Sequence, residues 1–265
     1  MTERYAVIGR PVSHSKSPWI HAEFARACRQ DIEYGRIEAE AGGFAEAVGA
    51  FRSAGGRGLN VTLPFKEEAF RYCAQATERA RGAGAVNTLL FAAECSGDNT
   101  DGLGLVRDLA GNLDFELRGA RVLLMGAGGA ARGVGGALLE AGAAALVIAN
   151  RTESKAAALA ERFPGAKARS YAALEGEVFD LAINATSAGL AGEAPKLPGG
   201  LLRKGLLAYD MVYGRDTPFL AAARAAGARA CDGTGMLVEQ AAESFFLWRG
   251  VRPDTRPVLA RLRAA

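Results

Sequence analysis

Residues that bind metals or form disulfide frameworks are scarce in this sequence. Only four of its 265 residues are cysteine and only two are histidine. The cysteines, at positions 28, 73, 95 and 231, form no Cys-x-x-Cys pair and have no histidine beside them. Zinc and redox sites usually need such clusters. We therefore expect no metal site, and we predict that the thiols are reduced and lie in the core.

Long apolar runs and a strong excess of one charge are also missing. The longest apolar run, residues 141–149, is far shorter than the roughly 20 residues of a membrane-spanning helix. The net charge is only +3, and the arginine-rich C-terminal stretch lacks the interleaved aromatic residues of a nucleic-acid-binding surface. The charged N-terminus has no signal-peptide pattern. These absences predict a cytoplasmic protein that binds neither a membrane nor nucleic acid.

What the sequence does contain is a regular alternation of strand-like and helix-like segments. Its length, with 49% hydrophobic and 23% charged residues, suits one large or two modest globular domains. The alternation predicts an α/β fold, and a second unit begins near Gly104. In that second unit, strands at 179–183 and 205–209 would end along the same edge of a parallel sheet.

Lys66 stands at a predicted strand-to-helix junction. Within the segment 60–66, a short apolar-alternating strand ends at Pro64, and Lys66 follows at the start of a helix-like segment. A residue before proline favours extended geometry. Ligands of α/β sheets bind beyond the carboxyl ends of the strands, so Lys66 is our candidate for proton transfer. Asp101 follows a later strand and is the candidate carboxylate beside it. The alternative is an ordinary surface ion pair, which would contribute little.

Three further polar side chains are candidates for ligand binding. Ser17 is the predicted N-cap of the first helix, which leaves Ser13 and Ser15 without a part in capping. In an extended loop these two serines point the same way and would face one ligand; the alternative is a pair of turn serines. Gln240 lies at the edge of an apolar helical stripe, where it would line a polar cavity or remain half exposed.

A glycine-rich turn in the second unit predicts a dinucleotide site. Residues 126–131 read Gly-Ala-Gly-Gly-Ala-Ala, between a buried strand and a small-residue helix of a βαβ unit. In that context Gly-x-Gly-x-x-Ala is a specific signal. The glycines allow the backbone to approach a pyrophosphate at the helix N-terminus, where unpaired amides favour an anion.

The end of the next strand predicts which dinucleotide binds. An NAD site usually has Asp or Glu there, roughly 20 residues after the glycines. This sequence instead has Asn150, Arg151 and Thr152, with Lys155 nearby. A guanidinium matches the 2′-phosphate of NADP in charge and in geometry. NADP is therefore predicted, and the alternative is that Arg151 is merely a surface arginine.

Taken together, these motifs resemble the shikimate dehydrogenase family, which uses NADP. The matching segments keep the family's order and span nearly the whole chain; they are residues 13–18, 60–66, 84–88, 98–102, 126–130, 150–152, 184–186, 210–213 and 235–240. The resemblance implies an N-terminal α/β substrate domain, residues 1–103, to which helices in 236–265 return. It also implies a Rossmann-like, doubly wound NADP-binding domain at 104–235.

By matching position, the resemblance implies contacts to shikimate or 3-dehydroshikimate from Ser13, Ser15, Thr62, Lys66, Asn87, Asp101, Tyr213 and Gln240. It implies contacts to NADP from Gly126, Ala127, Gly128, Gly129, Ala130, Asn150, Arg151, Thr152, Lys155, Met211, Gly235 and Glu78. Lys66 and Asp101 would be the catalytic residues, with Lys66 alone or the pair acting as acid and base. A monomer and a homodimer both remain open.

Two other functions fit the same motifs. The first is a broader quinate/shikimate dehydrogenase, which would accept quinate and often NAD; Arg151 and the intact serine pair argue against it. The second is a non-catalytic NADP(H)-binding module, since a fold does not by itself establish a function. Its mark would be a degraded substrate pocket, which this sequence does not have.

Overall fold

The computed structural model describes residues 2–264, apart from the side chains of residues 190 and 191. The chain divides into two compact units. Unit 1 consists of Met1–Gly104 together with Val238–Ala265, and unit 2 consists of Leu105–Leu237. Unit 1 is therefore built from two separate stretches of sequence, whereas unit 2 is continuous.

Strands and helices alternate through both units, and the predicted α/β fold class is confirmed. The chain begins with β1 (Glu3–Gly9), α1 (Ser17–Cys28), β2 (Ile32–Glu38), α2 (Phe44–Ser53), β3 (Gly56–Val61), α3 (Lys66–Tyr72), β4 (Gln75–Ala76), α4 (Glu78–Ala83), β5 (Thr88–Phe91), β6 (Cys95–Asp98) and α5 (Asp101–Arg107). It continues with β7 (Arg121–Met125), α6 (Gly129–Glu140), β8 (Ala145–Ala149), α7 (Glu153–Ala160), β9 (Lys167–Arg169), β10 (Leu181–Asn184), β11 (Leu207–Asp210), α8 (Pro218–Ala225), β12 (Arg229–Asp232), α9 (Thr234–Arg249) and α10 (Arg256–Ala264).

The strands of unit 1 form one mixed sheet in the order β2-β1-β3-β5-β6-β4. β1 runs parallel to both β2 and β3, while β5 runs antiparallel to β3 and β6. Because β1 and β3 are parallel, with Ile8 opposite Val61, they end at the same edge. The amide of Thr62 donates to the carbonyl of Ile8 at 2.9 Å, so the segments that follow these two strands start side by side.

The C-terminal stretch completes unit 1. Trp248 of α9 donates its indole N–H to the carbonyl of Leu89 in β5 at 3.0 Å, and its ring stacks on Tyr5 of β1 with centroids 4.7 Å apart. Gly58 leaves room for this ring, because a Cβ at that position would lie 2.4 Å from the indole nitrogen. The last helices are therefore part of the folded core of unit 1.

The sheet of unit 2 is parallel throughout and has apolar side chains packed on both faces. Its strand order is β12-β11-β10-β7-β8-β9. In β7, Val122 and Leu124 join one buried cluster while Leu123 and Met125 join another. Successive residues of a strand point to opposite faces, so the uninterrupted apolar run of β7 is what a doubly covered parallel sheet requires.

The predicted cap of α1 is wrong. The helix begins at Ser17 itself, and Lys16 occupies the cap position without a side-chain hydrogen bond. The hydroxyl of Ser15 instead accepts the amide hydrogen of Ser17 at 3.2 Å. A serine hydroxyl readily reaches the amide two residues further on, so Ser15 satisfies a helix donor and is not left without a part in the start of α1.

Three features bear on the disulfide, membrane and metal sites that the sequence left to be tested. None of the cysteines forms a disulfide; Cys95 is buried and the other three are half-buried. Across residues 2–264, no helix is long and apolar enough to cross a membrane. In the same part of the chain, no group of three or more His, Cys, Asp or Glu residues is placed to hold a metal ion.

Candidate active site

Lys66 and Asp101 form a largely buried ion pair in unit 1. Lys66 begins α3 and Asp101 begins α5, and Lys66 Nζ lies 2.5 Å from Asp101 Oδ2. Their side chains are only 14% and 6% exposed, so this is not the surface ion pair that the sequence left open. An ammonium group carries three N–H bonds, of which this contact uses one, and the others suit a ligand oxygen.

Asn87 holds the second oxygen of that carboxylate. Its Nδ2 donates to Asp101 Oδ1 at 2.9 Å and to Thr100 Oγ1 at 2.8 Å, and its Oδ1 accepts the Thr100 amide at 2.9 Å. These contacts fix which way the amide faces. Gln240 Oε1 lies 3.3 Å from Asn87 Nδ2, so Gln240 belongs to the same polar cluster. The structure thus brings four of the predicted residues together: Lys66, Asn87, Asp101 and Gln240.

The other predicted substrate residues of unit 1 lie at the edge where β1 and β3 end. Ser13 is exposed and Ser15 is only 7% exposed. Thr62 is half-buried, and a Cβ on Gly9 would lie 2.3 Å from its Cγ2. A glycine at the end of β1 therefore allows Thr62 to approach. Tyr213 is half-buried in unit 2, after β11.

Residues that the sequence analysis missed hold the segment that leads to Asp101. Asp98 is 1% exposed, and Arg79 donates hydrogen bonds from Nε and Nη2 to its two carboxylate oxygens, each at 2.6 Å. Thr77 Oγ1 and the Asn99 amide also donate to Asp98, both at 2.7 Å. Asn99 Oδ1 in turn accepts the Asp101 amide at 3.1 Å. Arg79 lies in α4 and Asp98 lies in β6. Hydrophobic periodicity describes one element at a time, so it does not reveal a contact between these two.

Replacing Arg79 with methionine is expected to destabilise the protein by about 2 kcal/mol, because it leaves a buried carboxylate without its cation. Denaturant unfolding measures the change. Combining Arg79→Met with Asp98→Asn should recover part of the loss, because no unpaired charge then remains. Arg57→Met is the matched control: Arg57 is 60% exposed and lies 3.9 Å from Glu3. An equal loss of unfolding free energy in Arg57→Met would contradict the stabilising role assigned to the Arg79–Asp98 contact.

The predicted dinucleotide loop has a shape that suits a phosphate. Gly126 has φ of +111°, and a Cβ there would lie 3.0 Å from the backbone of Ala185, so only glycine fits. Its amide donates to the carbonyl of Ala149 at 2.8 Å, which ties the loop to β8. α6 starts after Gly128, which has no side chain with which to cap the first turn. The first amides of α6 are therefore suited to bind an anion.

The residues predicted to select NADP follow β8. Arg151, Thr152 and Lys155 are all exposed. Asn150 Nδ2 donates to the carbonyl of Thr152 at 3.0 Å, which shapes the turn before α7. Two cations thus lie within five residues at the end of the strand next to the glycine loop, and they complement the charge of a phosphate.

Three further predicted cofactor residues lie elsewhere. Met211 is half-buried after β11, and its amide donates to the carbonyl of Asn184 at 2.9 Å. Gly235 must lack a side chain, because a Cβ there would lie 1.8 Å from Asp108 Oδ1. Glu78 is exposed at the start of α4 and lies in unit 1, whereas the other predicted cofactor residues lie in unit 2.

Asp210 connects the loops after β10 and β11, a role that no sequence pattern indicated. It is fully buried and accepts hydrogen bonds from Asn184 Nδ2 at 3.0 Å, Thr217 Oγ1 at 2.6 Å and the Val212 amide at 3.0 Å. Burial raises the pKa of Asp210, and these donors oppose the shift. The carboxylate therefore holds the loop that carries Met211 and Tyr213.

Comparison with known proteins gives one consistent family. The chain matches the shikimate dehydrogenase substrate binding domain over residues 7–89, the shikimate/quinate 5-dehydrogenase domain over 108–191 and the shikimate 5′-dehydrogenase C-terminal domain over 233–263. It is 59% identical to a shikimate dehydrogenase (NADP(+)) of Aromatoleum aromaticum, over 98% of this chain and 97% of the relative. A relative of the same description from Chromobacterium violaceum is 57% identical, over 99% of this chain and 98% of the relative.

A solved structure agrees with these relatives. Shikimate 5-dehydrogenase of Thermus thermophilus, in complex with NADP(H) and shikimate, is 36% identical with a TM-score of 0.89, over 99% of both chains. The sequence matches and the structural match each cover nearly the whole chain. This chain belongs to the shikimate dehydrogenase family.

Proposed function

We propose that this protein catalyses the reversible NADPH-dependent reduction of 3-dehydroshikimate to shikimate, a step in aromatic amino-acid biosynthesis. The observation that carries this proposal is the largely buried Lys66–Asp101 pair, in which Asn87 orients the carboxylate. The family relatives described above support it, because they are named as enzymes of this activity. Its cytoplasmic location and its state as monomer or homodimer stay predictions.

Lys66 handles the proton of the reaction. In the reduction, negative charge develops on the substrate's carbonyl oxygen, and the ammonium group stabilises it and donates a proton. In the oxidation, the neutral amine accepts the proton of the substrate hydroxyl. Asp101 holds the Lys66 side chain in place at 2.5 Å. Both residues are therefore assigned to the acid–base chemistry, in which Lys66 acts alone or together with Asp101.

The remaining substrate groups are hydroxyls and amides. Ser13, Ser15 and Tyr213 bind the carboxylate, and Thr62, Asn87 and Gln240 bind the ring hydroxyls together with the acid–base pair. A site that hydrogen-bonds a hydroxyl rejects analogues that lack it, because buried partners are then left unpaired. This arrangement selects a small acid with several ring hydroxyls.

The glycine loop and the turn after β8 hold NADP. Gly126 to Ala130 surround the pyrophosphate, to which the first amides of α6 donate, and Asn150, Arg151, Thr152 and Lys155 bind the 2′-phosphate end. Met211, Gly235 and Glu78 complete the proposed set. When bound, the reduced cofactor supplies the hydride that reaches the carbonyl carbon. The protein contributes orientation and the proton.

The direct test is to supply shikimate and NADP to the purified protein and to follow the absorbance of NADPH. We expect NADPH to form with shikimate and not with quinate. Comparable activity with quinate and NAD would favour the broader quinate/shikimate dehydrogenase. Tight NADPH binding without shikimate oxidation would favour the non-catalytic module.

A further inference from the structure

Arg36 contacts the loop that carries the two candidate serines. It lies on β2, opposite Val7 of β1, and its Nη2 donates to the backbone carbonyl of Ser15 at 2.6 Å. Twenty-one residues separate this donor from its acceptor, so the contact depends on the pairing of β2 with β1. The guanidinium therefore both fixes the Ser15 backbone and brings a full positive charge beside it.

The hydroxyl of Ser15 is prepared to donate a hydrogen bond. Its oxygen already accepts the amide hydrogen of Ser17 at 3.2 Å. A serine hydroxyl has one hydrogen and two lone pairs, so this contact leaves the hydrogen for another acceptor. α1 begins at Ser17 and is 12 residues long, so its N-terminus adds a positive potential on the same side. An anionic oxygen is the acceptor that fits these surroundings.

The Lys66–Asp101 pair does not supply a positive charge for an anionic ligand. Lys66 is neutralised by Asp101, so the pair has no net charge with which to attract an anion. The proposed substrate nevertheless carries a carboxylate. Arg36 is the cation in direct contact with Ser15, and among residues 2–264 no acidic side chain forms an ion pair with its guanidinium.

We propose that Arg36 is a specificity-determining residue, which holds Ser15 and supplies the positive charge for the substrate's carboxylate. The inference rests on the proposed function and adds the reason why an acid is preferred over a neutral analogue. The inference predicts that Arg36 raises the affinity for a substrate with a carboxylate. It does not raise the affinity for an analogue that has the same ring hydroxyls but an uncharged ester.

The test compares shikimate with its methyl ester in the wild type, in Arg36→Gln and in Arg36→Lys. The ester is assayed both as a substrate and as a competitive inhibitor of shikimate oxidation, so that its affinity is measured even if it turns over slowly. Arg36 is exposed, so solvent screens its charge. We expect Arg36→Gln to raise the KM for shikimate about fivefold, as loss of the attraction between two unit charges in water predicts. The affinity for the ester, the KM for NADP and kcat should stay within about twofold, since the charge acts on substrate binding alone.

Arg36→Lys should keep most of the affinity for shikimate, because it retains the charge. Arg57→Gln is the matched control, since Arg57 lies at the opposite, amino end of β3 and should leave every constant unchanged. Equal losses for shikimate and the ester, or an unchanged KM for shikimate, would overturn the inference. A wild type that fails to oxidise shikimate would instead remove the proposed function, so the two failures are distinguishable.

Discussion

Lys66→Ala is expected to lower kcat about a hundredfold or more, with only a modest change in the KM for shikimate. The reason is that the ammonium group acts on charge that develops only as the carbonyl is reduced. Substrate binding is shared among several hydroxyl and amide groups and so survives the change. Steady-state rates in both directions, with saturating NADP(H), measure the effect.

Two companion variants make this result specific. Asp101→Asn keeps the size of the side chain and the contact with Asn87 but removes the charge that holds Lys66. We therefore expect kcat to fall about tenfold, which is less than in Lys66→Ala. Lys204→Ala removes an exposed lysine of unit 2 and should leave turnover unchanged. Circular dichroism separates lost chemistry from lost folding. Near-normal turnover in Lys66→Ala would remove Lys66 from the chemistry.

Arg151→Ala is expected to weaken NADPH binding about a hundredfold while NADH binding changes little, since a charge-assisted contact of guanidinium with phosphate is among the stronger hydrogen bonds. NADH lacks the 2′-phosphate, so it does not use the side chain. Fluorescence titration of the two reduced cofactors gives both dissociation constants. The ratio of the two constants reports the phosphate contact directly.

Lys155→Ala should produce the same pattern with a smaller loss, because an ammonium group binds phosphate without the two-pronged geometry of a guanidinium. Arg229→Ala is the control: this arginine is exposed at the start of β12, the end of a parallel strand that faces away from ligands. If Arg151→Ala weakened NADH and NADPH equally, the phosphate assignment would be refuted.

Local signals allowed much of the fold to be predicted. The proline at position 64 indicated that a strand stops before α3, which begins at Lys66 as expected. The predicted strand end at Pro64 is wrong, because β3 already ends at Val61 and a turn follows it. The glycine pattern at 126–131 indicated a strand, a tight turn and a helix, and β7, Gly126 and α6 have that arrangement. Such features depend on residues that are close in sequence, and so the sequence alone carries them.

Contacts between distant residues were not predictable in the same way. Arg79 reaches Asp98 across 19 residues, and Arg36 reaches Ser15 across 21. Asn60 Nδ2 donates to Ser244 Oγ at 3.0 Å across 184 residues. These pairs depend on which strands become neighbours, and hydrophobic periodicity does not encode that order. The wrong cap at Ser17 has a different cause, since the neighbouring Ser15 offered a competing acceptor.

The division of unit 1 into two stretches has a consequence for biosynthesis. A ribosome releases all of unit 2 before the residues that complete unit 1. Tyr5 and Leu89 meet Trp248 only when the end of the chain has emerged, and Glu23 pairs with Arg261 later still. Domains generally fold as units during synthesis. We therefore expect unit 2 to reach its native structure first, although residues 1–104 of unit 1 are synthesised before it. Unit 1 can complete its fold only after α9 and α10 have been synthesised.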